Sequence, residues 1–341
     1  MKKHEPSTAL GFANAGAARE CSQAHPPSCS STHSTNQPRS RLIRALGFET
    51  EIERLEREIN TWIEQASEEM RAALEWQFQG GSKYFRPLTI FSCHRALSDE
   101  LVSDGIIRSA MVLEMFHNVS LIIDDILDRS RYRRRKLTLH CRFGNLVALM
   151  TSGYIVADGF ASVVDDPFDI RLLSELLKRL GVAECMQWRL RQKPLGVEDW
   201  RMLAGEDTGS MFEVCACLGA RHEGLRKFGY LLGMLYHGCD DIADVRGAEA
   251  LGGGGTEDLR DGILTLPAAI AIREQEVASL FADPKPANMD ALAAAFKAAL
   301  PEAERYLDTI AEEAKAEARA FSRNPQPLEA LVDETRQLSN V

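Results

Sequence analysis

The sequence predicts an all-α protein, a bundle of long helices, on three observations. Apolar residues recur at three-to-four-residue spacing, as in Ile52, Leu55, Ile59, Trp62, Ile63 and Ala66, which is the stripe of an amphipathic helix. Between Pro87 and Pro267 only Pro167 and Pro194 intervene, in a stretch dominated by Leu, Ala, Glu, Arg and Met, all good helix formers. No run of period-two alternation bounded by turn residues marks a strand.

In chain order, residues 1–41 are rich in Ser, His, Pro, Asn and Thr and hold few large apolar side chains. They cannot bury enough surface to offset the entropy of ordering, so they are expected to be a disordered polar tail, with one helical domain over residues 42–341. The first amphipathic stripe follows. Met111 to Phe116 and Leu121 to Ile123 then carry an apolar helix straight into acidic residues. Pro167 and Pro194 sit in or beside connections, Gly252 to Gly255 is the most flexible interior spot, and Asp283-Pro284-Lys285-Pro286 is a break. Helix is expected again over Ala291–Leu300 and Ala303–Phe321.

Among the 341 residues, 40 basic against 50 acidic side chains give a formal charge of −10, so no global positive field would gather nucleic acid or an anionic membrane. No unbroken apolar stretch reaches the length of a membrane span, so a soluble chain is expected. The eight cysteines form no CxxC pair and no His/Cys ladder, which favours neither a zinc ribbon nor a disulfide framework and points to a reducing cytoplasm.

The chemistry concentrates in one motif that occurs twice, Asp124-Asp125-Ile126-Leu127-Asp128 and Asp240-Asp241-Ile242-Ala243-Asp244. On a helix, residues i and i+4 share a face and i+1 lies beside them, so each copy aims a carboxylate cluster in one direction. Either copy alone reads as a solvated helix end. Two copies, each at the end of an apolar helix, instead describe a clamp of divalent ions for a phosphorylated ligand. Buried like charges need a cation, and hard oxygen donors without His or Cys select Mg2+, with Mn2+ as the alternative. Arg129 to Lys136 then holds six cations in eight residues. One to three helical turns beyond the acids, their guanidinium groups suit phosphate oxygens better than nucleic acid.

These residues resemble the all-trans polyprenyl (isoprenyl) diphosphate synthases over about residues 50–336. Gly81 to Pro87 is similar to that family's GGKRxRP, Glu114 to Asp125 to its first aspartate-rich helix, and Arg133-Arg134 with Thr138 and His140 to RRGxPTxH. Gly233 to Asp241 is similar to GxxFQxxDD, and Asp258 to Pro267 to DLxxGKxTLP. The resemblance implies the isoprenoid synthase type of fold, helices around a central cavity, and magnesium-dependent head-to-tail prenyl transfer. It also implies the residue roles. Asp124, Asp125, Asp128 and Asp240, with Asp241 and Asp244, would hold about three Mg2+ around an allylic diphosphate. Arg133 and Thr208 would assist there, with Asp124, Asp125, Asp128, Asp240 and Arg133 as the catalytic set. Lys83, Arg86, His117 and Arg134 would hold isopentenyl diphosphate. A homodimer is implied as well.

Departures from the family pattern are specific. Asp207-Thr208 stands for Lys-Thr, Gly262-Ile263 for Gly-Lys, Ser152-Gly153 for Gly-Asp, Tyr84 for an arginine and His237 for a glutamine, and Gly252 to Thr256 lacks a lysine. The resemblance implies that product length follows cavity depth, with Val119 and Ser120 at the wall positions and Phe116 one turn deeper, as either the floor or plain core packing. A C20 product, geranylgeranyl diphosphate, is favoured over C15 farnesyl diphosphate. Two other readings remain, a class I terpene cyclase and a non-catalytic subunit of a partner synthase.

Overall fold

The computed structural model describes residues 36–79, 82–134, 136–247 and 255–340. Most of the expected tail, Gly81, Arg135 and Gly252 to Gly254 lie outside them. The chain starts with α1 (Asn36–Leu46), α2 (Glu49–Gln65), α3 (Glu68–Phe78) and α4 (Phe85–Leu97). Ile52, Leu55, Ile59 and Ile63 are the buried stripe of α2, as their spacing predicts.

At the centre runs α5 (Asp104–Leu127), started by the Ser103 side chain accepting from the Ile106 N–H. A helix that is apolar on all sides must be enclosed by others. Accordingly α5 packs on α2, on α4, on α7 (Asn145–Ser162), on α8 (Pro167–Leu190) and on α10 (Ser210–Ala220). By length and composition α5 could cross a membrane, yet most of its side chains lie inside this bundle.

Between α5 and α7 come a two-residue ribbon, β1 (Tyr132–Arg133) with β2 (Lys136–Leu137), and a short α6 (Leu139–Phe143). The basic run therefore does not extend the helix as the sequence suggested. Arg129 and Arg134 take left-handed φ of 54° and 51°, which folds the run back on α5. Helix α9 (Val197–Ala204) passes through a π-helical turn, Gly205–Gly209, into α10.

Alongside α10 lies α11 (Arg226–Arg246), and the two approach closely where Gly229 has no side chain, since a Cβ there would run into the Phe212 carbonyl. The chain closes with α12 (Gly255–Asp261), α13 (Leu266–Ala271), α14 (Gln275–Phe281), α15 (Met289–Phe321) and α16 (Gln326–Arg336). Helix α15 continues through Pro301, where the sequence suggested two helices. Proline removes one helical hydrogen bond there, and the buried face from Leu292 through Ala303 to Ala318 outweighs that loss.

Candidate active site

Asp124 and Asp125 sit on the last turn of α5, and Asp128 is its C-cap residue. The second acid, Asp125, is buried, and its Oδ1 accepts from Arg133 Nε at 2.8 Å. Asp124 is held well above the usual carboxylate range, first by burial and then by Glu184 and Asp207 nearby. Asp128 accepts from Arg191 Nη2 at 2.7 Å.

The second set, on α11, repeats the division of labour. Asp241 is buried, and its Oδ2 accepts both the Trp200 indole N–H and the Leu266 backbone N–H at 2.8 Å, leaving Oδ1 to face His237 at 3.7 Å. Asp240 is pushed up to about 6 by burial and by Asp241, and is held down by His237, Lys83 and Arg133. Arg133 thus acts electrostatically on both sets, which together define an acid cleft. Asp258 on α12 is pushed up to about 8, first by burial and then by Asp244, Asp241, Asp240 and Asp128. It connects the two sets electrically. Asp244 is half-buried on the same face of α11.

Four residues of this cleft escaped the motif reading as site members: Glu184, Asp207, Asp258 and Arg191. The Glu184 carboxyl is raised by burial and by Asp207 and Asp128, so it forms a further acidic wall. Asp207 and Thr208 lie in the π turn, a feature that clusters at functional sites. The Thr208 hydroxyl donates to Asp207 Oδ2 at 3.2 Å and lies 2.9 Å from His237 Nδ1. Asp258, which opens the Asp258 to Pro267 motif, and Asp207, which precedes Thr208, carry a signal in the sequence, whereas Glu184 and Arg191 carry none.

Ser82, Glu114, His117, Asn118 and Arg134 line a small pocket. Arg86 Nη1 donates to His117 Nε2 at 3.1 Å. Because a guanidinium can only donate, Nε2 must be the acceptor and Nδ1 carries the proton. That Nδ1–H is buried with no partner among the described residues, and burial beside Arg86 holds the imidazole well below its usual pKa, so it is neutral. Lys83 is lowered to about 8 by burial, pulled back up by Asp240 and lowered further by Arg134. It stands between the acid cleft and the cationic pocket. Tyr84, in place of the arginine, takes a left-handed φ of 55° at the start of α4.

Of the product-length residues, Phe116 is fully buried, 5.2 Å from Phe160 ring to ring. A Cβ on Gly159 would stand 2.5 Å from its edge, so the ring lies directly against the α7 backbone. Val119 is buried and Ser120 is half-buried.

The donor set suits a hard divalent cation. All the convergent acids are oxygen donors, and burial with mutual repulsion leaves Asp124, Asp240, Asp258 and Glu184 raised, a charge imbalance that such a cation relieves. Among the described residues no three ligand-type side chains yet close on one point.

The polyprenyl synthetase family model matches residues 67–299. Nonaprenyl diphosphate synthase of Mycobacterium tuberculosis is 28% identical over 236 residues, covering 65% of this chain and 70% of its own. Geranylgeranyl pyrophosphate synthase 4 of Arabidopsis thaliana is 29% identical over 228 residues, 60% of each chain. Among solved structures, the Caulobacter crescentus polyprenyl synthase complexed with calcium and isoprenyl diphosphate superposes with a TM-score of 0.77 over 87% of this chain and 97% of its own, at 24% identity.

Proposed function

Because this chain belongs to the polyprenyl synthetase family, a family of prenyltransferases, we propose that it condenses isopentenyl diphosphate head to tail with an allylic diphosphate. The observation that carries the reading is the pairing of two sites. Two acid sets, both acted on by Arg133, accompany a pocket lined by Arg134 and by His117, whose Nδ1–H has no partner among the described residues.

In this reading Asp124, Asp128, Asp240 and Asp244, with the uncommitted oxygens of Asp125 and Asp241, hold about three Mg2+. Such ions supply the positive charge that lets an allylic diphosphate ionise. Arg133 and Thr208 meet the same diphosphate. Lys83, Arg86, His117 and Arg134 hold isopentenyl diphosphate, with Arg86 fixing the His117 tautomer so that its free N–H points at an acceptor. The apolar wall of α5 keeps water from the carbocation. No side-chain nucleophile is needed, since the departing diphosphate can take the proton that isopentenyl loses.

Geranylgeranyl diphosphate is our first choice of product and farnesyl diphosphate the second. Phe116 pressed between Phe160 and Gly159 supports a shallow floor, although the relatives' names span geranylgeranyl to nonaprenyl chains. A homodimer fits α7, whose exposed face carries Leu146, Leu149, Met150, Gly153, Ala157 and Ala161 at helical spacing. A reducing cytoplasm fits the buried thiols of Cys93, Cys215, Cys217 and Cys239.

The test is incubation of the purified chain with Mg2+, isopentenyl diphosphate and, in turn, dimethylallyl, geranyl or farnesyl diphosphate. Elongated diphosphates are expected. Hydrocarbons from an allylic substrate alone would instead identify a cyclase, and turnover only with an added synthase subunit would identify a regulatory chain.

A further inference from the structure

We propose that Arg191, which no motif of the sequence singles out, is a diphosphate-binding residue of the acid cleft, held in readiness by Asp128 and Asp261. The proposal rests on the prenyl-transfer reading, because it needs a diphosphate bound between the two acid sets.

The charge balance of the cleft motivates it. Asp124, Asp128, Glu184, Asp207, Asp240 and Asp258 act on one another there, and positions 207 and 263 carry Asp and Ile. Arg133 is tied to buried Asp125. A trianionic ligand in such surroundings needs more donors than Arg133 alone supplies.

Arg191 is built to be one. It follows the last residue of α8 and reaches Asp128 at 2.7 Å and Asp261 at 3.7 Å, so a single guanidinium spans the first acid set and the segment after the second. It also acts on Glu184. Its side chain is only 16% exposed. Its Nε is buried with no partner among the described residues, which leaves a donor unspent.

Its side chain and the adjoining backbone are each held. The guanidinium carbon lies 4.3 Å over the Trp188 ring, and the next residue's N–H donates to the Gly262 carbonyl at 2.8 Å. Gly262 has φ +66°, and a Cβ there would stand 2.6 Å from Gln192 Cγ, so the contact requires glycine. When Asp128 turns to a cation, Arg191 loses its nearest carboxylate and presents a planar fork to the diphosphate.

The experiment is titration calorimetry of the full chain with inorganic pyrophosphate in the presence of Mg2+, alongside the KM for each substrate. R191A is expected to weaken pyrophosphate at least about tenfold, to raise the KM of the allylic substrate in step and to leave that of isopentenyl diphosphate in place. R191K is expected to recover most of the loss. D261N breaks the strut and keeps the cation, so it is expected to bind within about threefold of the unsubstituted chain. If R191A does not fold, R191Q takes its place with the same expected loss. Pyrophosphate affinity unchanged by R191A or R191Q overturns the proposal, and so does equal weakening by R191A and D261N, which would make Arg191 a strut. An unsubstituted chain that binds no pyrophosphate with Mg2+ would overturn the prenyl-transfer reading itself.

Discussion

Arg133 on the β1–β2 ribbon donates its Nε to Asp125 Oδ1 on α5 at 2.8 Å, so the residue eight positions after the acid returns to neutralise it. Asp128 of the same set pairs instead with Arg191. Removing the cation strands a buried carboxylate. Arg133→Ala should cost about 2 kcal/mol in urea unfolding, below the figure for a fully buried pair because Arg133 is 34% exposed. The double variant with Asp125→Asn should recover part of the loss, and strict additivity would show that the pair is not coupled.

The raised acids give the metal-free chain a pH dependence with a defined sign. Asp240 and Asp258 titrate at about 6 and about 8, above their unfolded values, so the folded state binds protons the unfolded state has lost. Stability from these groups is fully present below the unfolded carboxylate pKa of about 4 and falls as pH rises to about 8. Melting temperature in EDTA should decline across that window, and Mg2+ with pyrophosphate should flatten the decline. An equally steep slope with and without the ions would separate these acids from metal binding.

Product length should respond to the α5–α7 contact. Val119→Phe is expected to shorten the product, while Phe116→Ala, which opens space against Phe160, should lengthen it at a stability cost of about 3–5 kcal/mol. Chromatography of the dephosphorylated alcohols reads both outcomes, and an unaltered product in both variants would put the floor elsewhere.

Self-association should run through α7. Met150 is 53% exposed beside Leu149 and Gly153, so Met150→Glu places a charge in the middle of an apolar face. Analytical ultracentrifugation should show a dimer for the unsubstituted chain and a weakened one for the variant. A variant that remains a full dimer would move the interface to another surface.

The sequence was most legible where chemistry and periodicity coincide. The stripe of α2, the apolar α5 and the two acid motifs all follow from spacing, and Asp258 lies within electrostatic reach of members of both motifs. What spacing could not convey is how the chain turns. Six cations in eight residues carry no helix breaker, so the ribbon at Tyr132–Leu137 and the left-handed Arg129 and Arg134 that form it were not foreseeable from local pattern.

Partners separated by long stretches of chain were equally hidden. Trp200 with Asp241, and Arg191 with Asp128, depend on α8 and α9 folding across the acid motifs. The contribution of Asp207 depends on a π turn that its sequence does not announce. Pro301 misled in the opposite direction, because burial of α15 along its length outweighed one missing hydrogen bond.

In the proposed function, carboxylates at the end of α5 hold the cations that activate an allylic diphosphate. Turnover of Asp124→Ala, with circular dichroism to establish that it is folded, tests it most directly. A loss of at least about a thousandfold in kcat with helicity unchanged is expected. A folded Asp124→Ala chain that elongates prenyl diphosphates at the unsubstituted rate would contradict it.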